Sequence, residues 1–324
     1  MRLECAAARG PWDASADTMC AMTERLTLMT VHAHPDDETI TTGGIMAKYA
    51  AEGARVVCVT STQGENGEIV VPELDTSENY ARLGEIRQLE LKRALAHLGP
   101  IEHHYLGYRD SGMMGTPPND DPRAFWQADT DEAIGRLVRF VREDRPHVLV
   151  GYNDFGGYGH PDHIRAALVA KGAFARAGDP SWYPEQLEGP DAVEPWRPLK
   201  LYEAVFDVER REEMTRLLNE RGINSWWAPD PGETEEQRHQ REAYMARMVA
   251  ATGPKTTRID VVDFLGLKHD ALAEHVTQIA SDNPFLALSP EEWRRFAPAE
   301  EFTLRESLVA PVRIPEEDLF AGLR

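Results

Sequence analysis

Short apolar runs alternate with stretches of helical periodicity along the first two thirds of this chain, and no other feature of the sequence constrains its fold as strongly. The apolar runs predict strands at 26–31, 54–60, 104–106, 147–151 and 199–206. The stretches between them predict helices at 43–52, 78–98, 131–143 and 164–177. Strands joined through helices pair in parallel by right-handed crossovers, because a tight turn cannot return the chain in the same direction. The pattern therefore predicts an α/β fold with a Rossmann-like, doubly wound, mostly parallel sheet.

The alternation changes after residue 207. The sequence there predicts a charged helix, a strand, a second helix and an extended segment, at 233–251, 258–264, 267–279 and 302–314. We expect a Rossmann-like domain at 22–206 and a C-terminal α+β elaboration at 207–324 that is packed on it. Trp226 and Trp227 belong either to a mobile loop over a site or, as is usual for Trp, to a buried aromatic pair.

The first residues, 1–21, lack the apolar core of a signal peptide and contain Arg9, Gly10, Pro11 and Asp13. We expect them to form a disordered leader. The stretch that begins at Met22, M-T-E-R-L-T-L-M, is typical of a natural start.

The charge of the chain excludes several classes of partner. Its 35 basic and 55 acidic residues give a formal net charge of −20, which repels nucleic acid and anionic membrane surfaces. No apolar run approaches the roughly 20 residues of a membrane span. Cys5, Cys20 and Cys58 form no C-x-x-C motif, which favours a reducing compartment over a disulfide scaffold. We therefore expect a cytoplasmic protein, and the sequence is compatible with a homo-oligomer.

The first predicted strand runs into the motif V-H-A-H-P-D-D-E, residues 31–38. Loops beyond the carboxyl ends of parallel strands line the crevice where ligands bind. Pro35 keeps His34 out of helical geometry, so the turn is extended before the next helix begins. One carboxylate can bind a divalent metal together with His34, while the other takes a proton from water. The alternative is that Asp36 or Asp37 caps a helix, for which one Asp would suffice.

The fourth predicted strand leads into N-D-F-G-G-Y-G-H-P-D-H, residues 153–163, where three glycines let the backbone approach a ligand closely. His163 lies at the start of a helix and can complete a His, Asp, His ligand set with one position left open, as in catalytic zinc sites. Two imidazoles favour zinc over magnesium. The alternative is a helix-capping turn with surface histidines.

The motifs A-H-P-D-D-E (33–38) and G-H-P-D-H (159–163) make the chain similar to the PIG-L/LmbE-like superfamily of zinc-dependent de-N-acetylases and amidases. The similarity runs from about residue 24 to the C-terminus. It implies that residues 22–206 form the catalytic domain, with one Zn²⁺ per chain. It further implies that His34, Asp37 and His163 bind the metal and that Asp36 is the general base. Tyr158 and His160 would face the reacting carbonyl, and Asp162 would orient His160. The residues that would contact the sugar or inositol are Glu68, Arg87 and Asp110.

The resemblance implies hydrolysis of an amide on a glucosamine-containing small molecule. De-N-acetylation of an N-acetylglucosaminide such as N-acetylglucosaminyl-inositol is the leading expectation, and mycothiol S-conjugate amidase activity is the alternative. The segment 109–116 resembles the deacetylase branch, whereas the C-terminal half has an amidase-like character. Thr41 stands where the amidase branch carries a Lys.

Two other classes of protein remain as remote alternatives. A binuclear zinc hydrolase with an H-x-H-x-D-H motif would need His at position 37, and it would hold two metals. A non-catalytic sugar-binding protein would be expected to lack one of the metal-binding residues. Outside the motifs, Arg87 and Glu90 could form a surface pair on a helix, and His275 could be a hydrogen-bonded core histidine.

Overall fold

The computed structural model describes residues 25–205, 208–223, 232–310 and 313–324. The expected leader at 1–21, the start at Met22 and the pair Trp226 and Trp227 lie outside the described residues. Among the helices of the described ranges, none combines the length and apolar character needed to cross a membrane.

The strands form a single mixed sheet in the order β3-β2-β1-β4-β5-β7-β6. Their bounds are β1 Thr27–His32, β2 Arg55–Thr62, β3 Ile101–Tyr108, β4 Val148–Gly151, β5 Lys200–Ala204, β6 Thr257–Asp260 and β7 Ala299–Ser307. The first five strands pair in parallel, whereas β7 is antiparallel to both β5 and β6. The predicted Rossmann-like sheet with a C-terminal elaboration is confirmed.

Ten α-helices accompany these strands in the described part of the chain. They are α1 Asp37–Ala51, α2 Ser77–Ala81, α3 Leu83–Leu98, α4 Thr130–Asp144, α5 Pro161–Arg176, α6 Val208–Glu220, α7 Glu235–Ala251, α8 Leu265–Ala273, α9 Pro284–Ala287 and α10 Pro290–Phe296. Short 3₁₀ turns lie at Pro117–Asp120, Phe125–Gln127, Pro184–Leu187 and Val262–Phe264.

Helices cover both faces of the sheet, which explains why its central strands read as continuous apolar runs. All six residues of β1 are buried. Leu28 faces a cluster that includes Tyr49 of α1, while its neighbour Met29 faces a cluster that includes Val138 of α4. Each such fully buried apolar side chain stabilises the fold by about 1.5–3 kcal/mol.

Several predicted elements differ from the observed ones. The helix predicted at 43–52 begins earlier, at Asp37, and the helix predicted at 78–98 is interrupted at Arg82, whose ψ of 14° breaks the helical pattern. The strand predicted at 258–264 ends at Asp260, because the side chain of Asp260 accepts a hydrogen bond from the Val262 amide and turns the chain.

In the C-terminal part, the helix predicted at 267–279 is displaced and shortened to α8. The extended segment predicted at 302–314 overlaps β7, which begins earlier, at Ala299, and ends earlier, at Ser307. Helix α6 is not predicted, since few apolar residues mark its charged sequence; Met214 and Leu218 are among its buried anchors.

The central strands β1 and β4 are adjacent, and the chain leaves them toward opposite faces through α1 and α5. A crevice forms at the carboxyl ends of strands where such a reversal occurs. Both motifs identified in the sequence lie at this position.

Candidate active site

Three side chains from the two motifs present their donor atoms to one another at the crevice. His34 Nδ1 lies 3.3 Å from Asp37 Oδ2, Asp37 Oδ2 lies 3.2 Å from His163 Nε2, and His163 Nε2 lies 3.3 Å from His34 Nδ1. Tetrahedral ligands at about 2.0–2.2 Å from an ion stand roughly 3.3–3.6 Å apart. This donor triangle, formed by His34, Asp37 and His163, has the size and the chemistry to hold one metal ion.

Other donors lie close to the triangle. His160 can place a nitrogen within 4.8 Å of both His34 and His163, and Asp110 and Asp162 join His34 and His160 in a second group of the same spread. In the donor triangle all three separations are 3.2–3.3 Å, and its three side chains come from the two segments that follow β1 and β4.

Carboxylates around His34 determine its charge. Burial disfavours the imidazolium, but Asp110, Asp162 and Asp37 outweigh burial and raise the pKa of His34 well above its usual value. Burial also disfavours the Asp37 carboxylate, yet His163 and His34 hold its pKa well below the usual range. The triangle is therefore a charged, mutually stabilised group in which Asp37 is ionised.

Asp162 has a different partner from the one expected from the sequence. Its Oδ2 lies 3.1 Å from His34 Nε2 and accepts a hydrogen bond from the Ser111 amide at 2.9 Å, while its Oδ1 accepts one from the Ser111 hydroxyl. Asp162 contacts His160 through its backbone instead, because the Asp162 amide donates a hydrogen bond to His160 Nδ1 at 3.1 Å. The hydrogen bonds of the carboxylate thus orient His34, because Ser111 turns it toward the triangle.

Asp36 and Asp37 are adjacent but have different surroundings. Asp36 has φ 105° and ψ −35°, a backbone conformation that costs a residue other than Gly about 1–3 kcal/mol. Its carboxylate accepts a hydrogen bond from Arg87 Nη2 at 3.1 Å and makes no side-chain capping bond to α1. Burial raises the pKa of Asp36 to about 6, Arg87 opposes that shift, and Asp37 adds to it. The capping alternative is therefore wrong for Asp36.

Arg87 and Glu90 are both buried and do not form the surface pair considered from the sequence. The Arg87 guanidinium donates to the carbonyls of Pro35 and Gly64, at 2.6 and 2.8 Å, in addition to Asp36. Glu90 accepts hydrogen bonds from the Thr277 amide and hydroxyl, at 2.9 and 2.8 Å. Arg87 consequently fixes both the backbone and the side chain at the turn after β1.

His275 is the hydrogen-bonded core histidine considered from the sequence, and its pair with Glu38, which the sequence analysis did not identify, supports the same turn. Glu38 Oε1 lies 3.1 Å from His275 Nε2, and Glu38 Oε2 accepts a hydrogen bond from the Asp36 amide at 2.9 Å. Both side chains of this pair are fully buried. Glu38 ends the first motif, which was the available signal, but its partner lies 237 residues away.

Tyr158 and His160 carry neutral hydrogen-bond donors. Burial, Asp37 and Asp36 raise the pKa of Tyr158 well above its usual value, and its hydroxyl lies 3.3 Å from His163 Nε2. Burial, His34 and His163 lower the pKa of His160 to about 2. Because His160 Nδ1 accepts the Asp162 amide, the proton of the neutral ring resides on Nε2. His160 caps α5 as the alternative interpretation proposed, but it and His163 are buried.

The three expected substrate contacts are placed differently from one another. Asp110 is buried, lies 3.7 Å from His34 Nε2 and accepts hydrogen bonds from the amides of Asn66 and Gly112, at 3.2 and 2.7 Å. Arg87 is bound to Asp36 as described above. Glu68 is exposed, and its backbone carbonyl accepts a hydrogen bond from Gln278.

A Rossmann-like sheet with this donor triangle and a separate, partly buried carboxylate at its crevice has the arrangement expected of a metal-dependent hydrolase. Comparison with known proteins identifies the family. The family model described as PIG-L, GlcNAc-PI de-N-acetylase, matches residues 29–174, and the chain belongs to that family. It is therefore a hydrolase that acts on an amide bond.

Relatives and solved structures extend the similarity over most of the chain. A 1D-myo-inositol 2-acetamido-2-deoxy-α-D-glucopyranoside deacetylase from Nocardiopsis dassonvillei is 45% identical over 91% of this chain and 100% of its own length. The protein of the same name from Thermobifida fusca is 44% identical, over 91% and 98%. An N,N'-diacetylchitobiose deacetylase from Pyrococcus horikoshii shares the fold, with a TM-score of 0.57, 18% identity and coverage of 87% of this chain and 84% of that one.

Proposed function

We propose that this protein is a zinc-dependent deacetylase that removes the N-acetyl group of 1D-myo-inositol 2-acetamido-2-deoxy-α-D-glucopyranoside. The observation that carries the proposal is the donor triangle with Asp36 beside it, whose pKa of about 6 suits proton transfer near neutral pH. Two relatives that are at least 44% identical over 91% of the chain are named as deacetylases of this compound, which supports this substrate.

One Zn²⁺ per chain would be held by His34 Nδ1, Asp37 Oδ2 and His163 Nε2, and two imidazoles with one carboxylate fit zinc better than magnesium. When bound, zinc supplies an acidified water and a polarised carbonyl. Asp162 would orient His34 through the 3.1 Å contact, as carboxylates commonly do for metal-binding histidines.

Asp36 would act as the general base. It takes a proton from the attacking water and then returns it to the amine as the C–N bond breaks. Arg87 keeps its carboxylate in place throughout. Because the pKa of His160 is held near 2, His160 would not carry the charged proton itself, and Asp36 is the better donor to the leaving amine.

Tyr158 and His160 would stabilise the oxyanion that develops on the amide oxygen. The Tyr158 hydroxyl and the Nε2–H of His160 are neutral donors in a buried site, where each oxyanion donor is typically worth about 2.7–4 kcal/mol. Asp110, Glu68 and Arg87 are the proposed contacts or supports for the sugar and inositol hydroxyls.

We further propose that residues 22–206 form the catalytic domain and that residues 207–324 shape the substrate site. The contacts of α8 with α1 and α3 and the continuation of the sheet through β7 and β6 support a close association. A cytoplasmic location is proposed from the scarcity of cysteine and the buried, unpaired thiol of Cys58.

An amine-release assay on the purified, zinc-loaded protein tests the proposal. It should compare N-acetylglucosaminyl-inositol, a mycothiol S-conjugate and N,N'-diacetylchitobiose. We expect the highest kcat/KM for the first. A higher value for the conjugate would instead support the amidase alternative, and saturable sugar binding without amine release would support a non-catalytic protein.

Metal analysis of the same preparation provides a second test. One zinc per chain agrees with the donor triangle. Two metals per chain, both needed for activity, would support the binuclear hydrolase.

A further inference from the structure

A cavity of about 370 Å³ opens directly beside the donor triangle. Asp36, Asp37, Tyr158 and His163 form its wall on the side of the triangle. The rest of the wall comes from α1, the loop after β4, the end of β5, α6, the turn after β6, α8, the segment of α9 and α10, and β7. It is largely apolar, although the polar residues Thr41, Lys268, His269, Glu300 and Glu301 also line it. Its apolar side chains include Ile40, Met214, Val261, Leu265, Leu272 and Phe285.

The opposite side of the triangle has a different chemistry. The loops after β2 and β3 place polar side chains there, including Glu65, Asn66 and Asp110, which are linked by hydrogen bonds. In the sheet, β2 and β3 lie on one side of β1, while β4 and β5 lie on the other. The reacting centre therefore lies between a polar side and an apolar side.

A planar amide that reacts at this centre must direct its two substituents apart. The sugar on the nitrogen carries hydroxyl groups, which match the polar side near Asp110. The carbon chain on the carbonyl is then directed to the apolar side. In the reaction, water adds to the carbonyl carbon and the C–N bond breaks. Both protons of the water end on the amine nitrogen, so the products are a free carboxylate and a protonated aminosugar.

We propose that this cavity is an acyl pocket and that the protein hydrolyses N-acyl glucosaminides with linear acyl chains of about four to six carbons as well as the acetyl group. The inference rests on the proposed function and extends its substrate class. The methyl of an acetyl group fills only a small part of 370 Å³, since a water molecule takes about 30 Å³ and a methyl group is of that order. The volume is within the range of roughly 300–1,000 Å³ that is usual for small-molecule sites.

The size of the expected effect follows from burial of the chain. Each methylene that moves from water into an apolar pocket improves binding by about fourfold. A butyryl group has two methylenes more than acetyl, so its kcat/KM could exceed that of the acetyl substrate by up to about sixteenfold. Strong discrimination in favour of acetyl would require the apolar space to be inaccessible.

The first experiment measures amine release from N-acetyl, N-butyryl and N-hexanoyl glucosaminyl-inositol by the zinc-loaded wild-type protein. We expect kcat/KM for the butyryl substrate to equal or exceed that for the acetyl substrate. A lower value for butyryl overturns the acyl pocket. If no substrate of the series releases amine, the proposed function itself has failed, so the two failures are distinguishable.

A variant that narrows the cavity tests the location. Ala204, at the end of β5, lines the cavity and takes no part in the catalytic machinery. In Ala204→Leu we expect the ratio of hexanoyl to acetyl kcat/KM to fall at least fivefold, whereas Ala96→Leu, on the exposed side of α3, should leave the ratio unchanged. An unchanged ratio in Ala204→Leu contradicts the proposal.

A third arm separates the acyl chain from the aglycone as the occupant. N-acetylglucosamine glycosides with a methyl and an octyl aglycone are compared in the wild type and in Ala204→Leu. We expect the same octyl-to-methyl ratio in both proteins. If Ala204→Leu lowers this ratio and leaves the acyl series unaffected, the cavity holds the aglycone and the acyl pocket is wrong.

Discussion

Replacing Arg87 by Met should move the acid limb of the pH–activity profile upward. Arg87 Nη2 lies 3.1 Å from Asp36 Oδ2, and neither side chain is more than 16% exposed. At this distance two unit charges interact by about 1.3 kcal/mol in water and by about 5 kcal/mol at an effective dielectric constant of 20. These energies correspond to roughly one to four pH units in the pKa of Asp36.

The sign follows from the charge that is removed. Arg87 opposes the rise that burial causes in the pKa of Asp36, so Arg87→Met raises that pKa above its value of about 6. The base is then protonated at a higher pH, and activity is lost at the acid end sooner. A bound metal acts on both proteins alike, so the difference between the two profiles is the quantity to test.

The assay is kcat/KM for N-acetylglucosaminyl-inositol between pH 5 and 9. We expect the acid limb of Arg87→Met to lie at least about one unit above that of the wild type. Arg87→Lys keeps the charge, so its acid limb should lie close to that of the wild type. Arg93 lies on the same helix as Arg87 and forms an exposed ion pair with Glu274, so Arg93→Met is the matched control. If the acid limb of Arg87→Met coincides with that of the wild type, Arg87 does not tune the base.

Three further predictions concern the donor triangle and its surroundings. Asp36→Ala should keep its zinc and lose nearly all turnover, whereas Asp37→Ala should lose zinc; retention of activity with loss of zinc in Asp36→Ala would show that the two roles are reversed. Asp162→Asn should weaken zinc binding by about 10–100-fold in a competition titration with a chelator, because Asp162 contacts His34; unchanged affinity with lower kcat would return it to the expected role beside His160. Burial raises the pKa of Asp36 from 3.8 to about 6, so its ionisation destabilises the metal-free fold as pH rises through about 6. Asp36→Asn should therefore be more stable than the wild type by up to about 3 kcal/mol at pH 8 and equally stable below pH 4. Urea unfolding that shows no such pH dependence would contradict the buried environment of Asp36.

The sheet and the convergence of the two motifs were predictable because both depend on local patterns. Apolar runs separated by helices fix a parallel sheet, and the carboxyl ends of its central strands meet at one crevice. That rule alone brings His34 and His163 together, although they are 129 residues apart. Only the sheet order was needed, and the alternation of elements strongly restricts that order.

The contacts that depend on distant packing could not be predicted in the same way. Whether Asp162 turns to His34 or to His160 depends on Ser111, which belongs to the loop after β3. The partner of Glu38 comes from the segment after α8, and no local pattern in a single sequence relates His275 to it. The apolar cavity has walls from helices that lie far apart in the sequence, so its volume is a property of the packing alone.

The backbone, rather than residue identity, gives two identical neighbours different tasks at the turn after β1. With an ordinary capping conformation, Asp36 would direct its carboxylate onto the amides of α1. Its positive φ prevents that bond, and the Asp36 amide is held instead by Glu38. The carboxylate is then left for Arg87 and for a proton, while Asp37 faces the imidazoles. The contacts from Glu38 and Arg87 must therefore offset roughly 1–3 kcal/mol of backbone strain. This requirement accounts for the burial of Glu38 and Arg87. Among the described residues, neither of these charged side chains forms a hydrogen bond with His34 or His163.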